Sequence, residues 1–260
     1  GVIMYLRFGW VLGNVGLVGT LAIVVLSTSI TFFTGLSISA LATNMRIGGG
    51  GAYYMISRSL GVEVGAAVGL PLYFAQALGI SFYIAGFAES VNQLYPQLPI
   101  AAIGVITLIA LTILAYVSAD LVLKSQFFIL LVIVASLISF FFGEPLAAQN
   151  IDPQSVPDKE SFWVVFAVFF PAVTGIEAGV AMSGDLKNPS RSLPLGTLGA
   201  IATGFAVYIT IPIFLGKMVQ QNELLLINPL IMQEVAAYGG LIICGVWGAT
   251  LSSALGALLG

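Results

Sequence analysis

Apolar stretches without a single charged residue recur along the chain, and each is long enough to form a helix across a lipid bilayer. One crossing needs about 20 apolar residues. The stretches of this kind are Phe8–Met45, Val64–Ala88, Ser90–Ala119, Ser125–Gly143, Ser192–Gly216 and Val235–Gly260. Charged residues make up 7% of the 260 residues, and the mean hydropathy is +1.07. An ordinary soluble domain carries about 25% charged residues, so the sequence predicts an all-α polytopic membrane protein.

The scarce polar chemistry excludes several classes of protein. Eight Lys and Arg residues cannot form the basic surface that nucleic acids require. The chain has no His and one cysteine, Cys244, which leaves no disulfide and few metal ligands. An intramembrane enzyme would need a nucleophile with a base, or a metal cluster, and the sequence offers few candidates for either. We therefore expect no nucleic-acid partner, no cofactor and no enzymatic activity.

Eight spans are predicted, because the first apolar stretch is too long for one crossing and divides near Gly13–Gly19. The spans are Gly1–Leu17, Val18–Asn44, Glu63–Tyr95, Ile100–Val117, Leu123–Phe142, Phe162–Met182, Pro194–Leu215 and Gly239–Gly260. A polar loop separates residues 1–142 from residues 162–260. Between spans seven and eight, Lys217–Tyr238 mixes polar and apolar residues and predicts a surface helix. Both ends of the chain lie in apolar sequence, so we expect a fragment that starts and stops within spans.

The distribution of basic residues predicts the orientation in the membrane. Short cytoplasmic loops carry an excess of Lys and Arg. One set of alternate loops holds Arg46, Arg58, Lys124, Lys187 and Arg191, whereas the other holds only Lys159 and Lys217. The loop at residues 44–61 is therefore expected to be cytoplasmic, and the loop at residues 143–161 extracellular.

Span six contains a sequence that interrupts a helix. Pro171 lacks an N–H and its ring clashes with the preceding turn, and Gly175 permits an unwound backbone. Within lipid such an interruption is tolerated only where it is buried or lines a cavity. The freed carbonyls and the Thr174 hydroxyl are hard oxygen ligands for an alkali cation, and the N–H groups of Gly175, Ile176 and Glu177 suit an anion. The alternative is a simple kink in a packed helix.

The short first span corresponds to this interrupted one. Folds built on inverted repeats place interrupted helices at matching positions of the two halves. With five spans per half, spans one and six match, and a half-helix that begins at Gly1–Val2–Ile3 would meet the span six break near the bilayer midplane. Tyr83 of span three marks the same depth if it also faces this midplane position.

Two charges inside the apolar sequence are expected to form a pair. Arg7 lies six residues beyond Gly1, and Glu89 lies six residues beyond Tyr83. Six helical residues span about 9 Å, so both charges would lie at one depth outward of the midplane and close the outer side together. The alternative is two interfacial charges that extend to the membrane surface without mutual contact.

Span eight offers a further candidate cation site. Ala249, Ser252 and Ser253 share one helix face because they are spaced i, i+3 and i+4. Two hydroxyls could coordinate a small cation, although small residues also serve ordinary helix packing. The glycine-rich segment Ile47–Tyr54 lacks the Gly-Lys-Ser/Thr of a phosphate-binding loop and predicts a cytoplasmic re-entrant turn instead.

Several motifs together resemble the signature of the cation–chloride cotransporters. They are Ser37–Asn44, Gly49–Gly61, Gly86–Glu89, Phe169–Pro171 with Thr174–Ile176, and Ser183–Leu186. The resemblance covers almost the whole chain. It implies the amino acid–polyamine–organocation superfamily and the leucine-transporter-type five-plus-five inverted repeat, here a single transmembrane transport domain from mid span one to mid span eight.

The resemblance also implies roles for individual residues. Tyr83, Pro171 and Thr174 match a potassium site, and Ala249, Ser252 and Ser253 match a sodium site. The backbone at Gly1–Val2–Ile3 matches one chloride site, and that at Gly175–Ile176–Glu177 matches part of a second. Arg7 and Glu89 match an outer gate pair. The serine pair favours a sodium-coupled type and Tyr83 favours potassium use, so sodium, potassium and chloride are the expected substrates of a symporter in the cell membrane.

Glu177 departs from the family pattern, because animal members usually have an apolar residue there. A carboxylate beside a chloride site repels the anion unless it is protonated or paired. The Gly-Ile-Glu sequence is similar to the span six break of amino acid permeases in the same superfamily, which leaves an amino acid permease, proton-linked through Glu177, as the alternative. A non-transporting scaffold subunit and a homodimer also stay open at this stage.

Overall fold

The computed structural model describes residues 1–44, 50–117, 119–181, 183, 186 and 188–259. Arg46, Lys187, the Ile47–Gly49 part of the glycine-rich segment, and the predicted ends of spans six and eight at Met182 and Gly260 lie outside these residues. Secondary structure in the described part is helical. Six of its helices are long and apolar enough to cross a membrane, and Phe162–Val173 forms a shorter apolar segment.

The first two spans are joined at an interrupted helix. A short helix α1 (Val2–Leu6) is followed after Arg7 by α2 (Phe8–Asn44), which is not helical at Gly16. Gly16 has φ 68° and ψ 179°, a conformation that is essentially restricted to glycine because a Cβ would clash with the backbone. Gly16 lies within the segment at which the sequence predicted the division between spans one and two.

The remaining described helices comprise the predicted spans, most of them with shifted ends, and three short helices between spans. They are α3 (Gly51–Leu60), α4 (Val62–Leu94), α5 (Ile100–Val117), α6 (Ala119–Phe141), α7 (Phe162–Phe169), α8 (Glu177–Ala181), α9 (Pro189–Met218), α10 (Asn222–Ile227), α11 (Ile231–Val235) and α12 (Gly239–Leu259). Spans five and seven begin earlier than predicted, at Ala119 and Pro189. The N–H groups of the first turn have no hydrogen-bond partner within a helix, so proline loses no hydrogen bond there. Pro189 can therefore begin α9. The predicted all-α polytopic fold is confirmed.

The segment between spans seven and eight is not a span, as predicted, but it is divided into two short helices instead of one surface helix. Five apolar side chains of α10 and α11 are buried, namely Leu224, Leu225, Ile231, Met232 and Val235. Leu225 packs against Gly13 of span one, and Ile231 packs against Gly9. The polar residues of this segment had suggested solvent exposure, but its apolar side gains more from burial against span one than a surface position could offer.

One end of the helical bundle collects the loops predicted to be extracellular. The Glu144 N–H donates to the Val235 carbonyl and the Leu146 N–H to the Met218 carbonyl. The Asn14 side chain, beside the Gly16 turn, accepts from the Glu160 N–H at 2.7 Å. These contacts place the span one–two turn, the loop at 143–161 and the α10–α11 segment together, as an alternating topology requires.

The spans pack in two groups. Helix α2 packs along α9 and also against α7, whereas α12 packs against α4, α5 and α6. Helix α1 lies between the groups, in contact with both α2 and α12. Its side chains belong to the largest buried cluster of the described residues, together with Phe8, Phe140 and Phe169. Large apolar side chains such as Phe127 and Leu131 remain exposed on the outer faces, where lipid is the natural neighbour of a membrane helix.

Candidate ion-binding site

Span six is broken where the sequence predicted. Helix α7 ends at Phe169, a 3₁₀ turn covers Phe170–Val173, and Thr174 is extended with φ −84° and ψ 179°. Gly175 follows with φ 100°, which favours glycine over any residue with a Cβ. Helix α8 then begins at Glu177. Thr174 and Gly175 therefore lie outside any helix, between the 3₁₀ turn and α8, and such an interruption is tolerated in a membrane protein where it lines a cavity.

Three hydroxyl groups donate hydrogen bonds to carbonyls of this break. The Thr174 hydroxyl donates to the Pro171 carbonyl at 2.9 Å. Thr31 of α2 donates to the Val173 carbonyl at 3.1 Å, and Tyr208 of α9 donates to the Ala172 carbonyl at 2.9 Å. Two of the three donors thus come from other spans, and they leave the carbonyls with their remaining lone pairs.

A cavity of about 340 Å³ lies beside the break, on the side that faces span one. It is lined by Gly1, Val2, Ile3, Gln76, Phe82, Tyr83, Gln126, Pro171, Ala172, Thr174, Gly175, Gly179, Ser252, Ser253, Gly256 and Ala257. Spans one, three, five, six and eight all contribute residues to the lining of this cavity. The described lining side chains carry no charge, and their polar atoms are hydroxyl and amide groups with backbone alongside. Neutral oxygen ligands of this kind suit alkali cations.

Most of the residues that the sequence singled out meet at this cavity. Tyr83, Pro171 and Thr174 line it together, as do Ser252 and Ser253 and the backbone segment Gly1–Ile3. Ala249 is buried and contacts Gly1 so closely that a Cβ on that glycine would overlap the alanine methyl. It therefore supports the wall from behind instead of lining it.

The anion candidates of span six are arranged differently from the expectation. Ile176 lines a second cavity and not the first, whereas Gly175 borders both. Glu177 begins α8, and its carboxylate lies outside the described part of the structure. The geometry thus brings together the cation candidates and the Gly1–Ile3 backbone more completely than it does the Gly175–Glu177 set.

The second cavity has a volume of about 220 Å³ and lies on the opposite side of the break. Thr28 and Thr31 of α2, and Gly204 and Tyr208 of α9, contribute to its lining. The break residues Ala172, Thr174 and Gly175 border both cavities. The interrupted backbone therefore forms the partition between two spaces.

The Ser252 hydroxyl donates to the side-chain oxygen of Gln126 on α6. Because its single hydrogen is held there, the Ser252 oxygen can turn its lone pairs toward the cavity. Gln126 was missed by the sequence reasoning, as was Gln76, which also lines the cavity. A signal existed, because a polar amide within an apolar span is costly and usually functional. Nothing in the sequence pointed to Thr31 or Tyr208, whose contacts with the break arise only from tertiary packing.

Arg7 and Glu89 form an ion pair on the side of the cavity that the basic loops predict to be the outer one. The Arg7 guanidinium donates to both carboxylate oxygens of Glu89, at 3.1 and 3.0 Å. Their side chains are 36% and 33% exposed, so the attraction is weakened by solvent. The pair connects span one to span three, and Val2 and Gly86 make a close contact on the same two helices. On this side of the cavity the two spans are closed against each other.

The amino acid permease family matches the chain over residues 1–260. The chain belongs to the amino acid permease family. The family name and the interrupted spans agree with the superfamily expected from the motifs, and the permease domain is a multi-pass membrane domain.

Members of solute carrier family 12 are similar to this permease along its whole length. Member 1 of Oryctolagus cuniculus is 34% identical, with 100% of this chain and 29% of the relative covered. Member 2 of Mus musculus is 33% identical with 100% and 27% covered, and member 3 of Mus musculus is 34% identical with 100% and 32% covered. The chain thus spans about three tenths of the length of these relatives. They support the resemblance to cation–chloride cotransporters, and their names are those of carriers, not of enzymes.

Proposed function

We propose that this permease domain carries the ion sites of a secondary transporter that moves sodium, potassium and chloride together by alternating access. The observation that carries the proposal is the neutral, oxygen-lined cavity at the span six break. It gathers Tyr83, Thr174 and Ser252 from three spans that are far apart in sequence. The relatives in solute carrier family 12 are named as carriers, which supports transport as the function.

Potassium is assigned to the wall formed by Tyr83, Pro171 and Thr174. The Thr174 hydroxyl already donates its hydrogen to the Pro171 carbonyl, so its oxygen is left as an acceptor that a cation can approach. The Pro171 carbonyl has a second lone pair, and Tyr83 supplies a phenol oxygen. Partial dehydration by several neutral oxygens is the way in which a large alkali cation is bound in proteins.

Sodium is assigned to the span eight face with Ser252 and Ser253, supported by Ala249. The contact of Ala249 with Gly1 brings this face against the start of the described half-helix of span one, so backbone oxygens of span one can complete the site. Gln126 orients the Ser252 hydroxyl through the hydrogen bond that it accepts.

Chloride is assigned first to the Gly1–Val2–Ile3 backbone, which borders the cavity beside the cation positions. An anion next to two cations keeps the total charge of the loaded site small, which lowers the cost of holding ions away from water. A second chloride at Gly175–Ile176–Glu177 has weaker support, because Ile176 borders the second cavity.

The direction of access follows from the order of residues along the spans. Gln76 precedes Tyr83 in span three by seven residues, and Ala257 follows Ser253 in span eight by four residues. With the orientation expected from the basic loops, both lie on the cytoplasmic side of the cation positions, whereas the Arg7–Glu89 pair lies on the outer side. We assign the arrangement to a state closed to the outside, with this ion pair as the outer gate.

Rubidium uptake by the intact protein in liposomes tests the proposal, because rubidium replaces potassium in such sites. Uptake should require external sodium and chloride, and Tyr83→Phe and Thr174→Ala should each reduce it. Rubidium uptake that is unchanged after removal of both sodium and chloride would contradict coupled symport. Normal uptake in both variants would instead leave a supporting, non-transporting role for this domain.

An amino acid permease is the second candidate, and the Gly175-Ile176-Glu177 sequence favours it together with the matching family. In this alternative the backbone of the two breaks binds the carboxylate and amino groups of a substrate, and Glu177 moves a proton. Uptake of radiolabelled amino acids without a chloride requirement, accompanied by acidification of the liposome interior, would select it over ion symport.

A further inference from the structure

The two carbonyls that follow Pro171 in the break are held from behind by side chains of spans two and seven. Thr31 donates to the Val173 carbonyl at 3.1 Å, and Tyr208 donates to the Ala172 carbonyl at 2.9 Å. Both donors line the second cavity and not the first. The hydrogen bonds therefore act on the face of the break that is turned away from the candidate ion site.

Each of the two hydroxyls is directed to the break by its surroundings. Thr31 is buried, with 6% of its surface exposed, and its own-helix acceptor, the Ser27 carbonyl, lies farther away at 3.3 Å. The Tyr208 ring packs edge-on against Phe8 and Phe169, with centroid distances of 5.7 and 6.0 Å. Phe8 and Phe169 also contact each other at 5.2 Å. This three-ring cluster fixes the phenol relative to the outer halves of spans one and six.

We infer that Thr31 and Tyr208 are positioning residues for the cation site: they retain the Ala172 and Val173 carbonyls on the rear face, so that Pro171 and Thr174 present their oxygens to the ion. The inference rests on the proposed ion transport. A cation site depends on ligands that are held in place before the ion arrives, since ordering them during binding costs affinity. Ala172 and Val173 are the last residues of the 3₁₀ turn, and the last carbonyls of a helix have no hydrogen-bond partner within that helix.

The test uses rubidium and sodium half-saturation concentrations for uptake by the intact protein in liposomes. Tyr208→Phe keeps the ring cluster and removes only the hydroxyl, and Thr31→Val keeps the shape of the side chain. We expect each to raise the rubidium half-saturation concentration about three- to tenfold, as the loss of one neutral hydrogen bond predicts. The sodium half-saturation concentration should change less than about twofold. Thr31→Ser, which keeps the hydroxyl, should restore the unaltered value.

Matched controls separate positioning from general damage. Thr34→Val removes a hydroxyl that bonds only to the Ile30 carbonyl of its own helix, and Tyr5→Phe removes a phenol that bonds to Ser136. Both should keep the unaltered rubidium half-saturation concentration. Unchanged values in Thr31→Val and Tyr208→Phe would overturn the inference alone, as would equal increases in the two controls. Absence of rubidium uptake by the unaltered protein would overturn both the inference and the proposed transport.

Discussion

Individual hydroxyls of the candidate site have their hydrogens committed within the protein. Thr174 donates to the Pro171 carbonyl and Ser252 donates to Gln126. A hydroxyl that can turn its hydrogen into the cavity repels a cation, whereas one whose hydrogen is held elsewhere offers only lone pairs. The acceptors of these hydrogens are therefore part of the proposed cation selectivity, although Gln126 need not touch an ion itself.

Removal of the Ser252 oxygen should weaken sodium dependence selectively. For Ser252→Ala we expect the sodium half-saturation concentration of rubidium uptake to rise about tenfold, because one polar contact to a charged group is lost. Gln126→Leu should raise the same quantity by a smaller factor, because the oxygen remains but its hydrogen is freed. Ser125→Ala is the matched control, since Ser125 donates to the Val122 carbonyl of its own helix. An unaltered sodium dependence in Ser252→Ala would exclude this residue from the sodium site.

The Arg7–Glu89 pair should matter for transport much more than for stability. Both side chains are about a third exposed, and pairs of this kind contribute only about 0.2–1 kcal/mol. Glu89→Gln should therefore shift the thermal unfolding midpoint very little, yet it should slow rubidium uptake because the outer side no longer closes firmly. The charge-reversed double variant, Arg7→Glu with Glu89→Arg, should recover part of the rate. Full uptake in Glu89→Gln would remove the pair from the gating mechanism.

Single residues were predictable where their chemistry is unusual for a membrane. A charge such as Arg7, or a proline such as Pro171, is rare enough within a span to indicate a role without any knowledge of its neighbours. The role of Thr31 could not be predicted in this way, because a threonine in a span normally donates to a carbonyl of its own helix, as Thr34 does. Its contact with the span six break joins residues 142 positions apart, and such pairings are decided by packing.

Among the elements, the turn at Gly16 depends on one residue for its conformation. A Cβ there meets no atom within 4 Å, so the cost of Gly16→Ala comes from the backbone alone. We expect a loss of about 1–3 kcal/mol in the free energy of unfolding, measured as a lower thermal unfolding midpoint in detergent. Gly199→Ala is the control with the opposite sign, because Gly199 is helical and also open. It should stabilise by about 0.5–1 kcal/mol. Equal midpoints for the two variants would contradict the assigned turn.

Span positions could be predicted from the sequence more readily than the packing of the connecting segments. Length and hydropathy suffice for a helix such as α5, which has the predicted bounds Ile100–Val117. They do not suffice for α10 and α11, whose buried residues contact glycines on span one. Gly9 and Gly13 lack side chains and so leave space on span one for these residues. The sequence alone cannot show which glycines of a helix contact a neighbouring helix and which do not.

For the molecule as a whole, the two groups of spans meet along span one. Gly1 contacts Ala249 of span eight. Val2 packs so closely against Gly86 of span three that a Cβ on this glycine would lie 2.5 Å from the Val2 side chain. Both contacts join span one to the group that contains α4 and α12, so movement of that group relative to span one must disturb them. Sequence reasoning could place spans one and six as matching halves of a repeat, but the grouping itself depends on which helices pack together.

The orientation of the whole bundle can be tested by labelling, and it decides which side the ion pair closes. Because Cys244 is exposed, Cys244→Ala provides the background. A cysteine from Gln154→Cys, in the loop at 143–161, should react with a membrane-impermeant maleimide on intact cells. One from Leu60→Cys, at the exposed end of α3, should react only after permeabilisation. The reverse labelling pattern would show that the spans have the opposite orientation in the membrane. Arg7 and Glu89 would then close the cytoplasmic side, and Gln76 would border an outward-facing cavity.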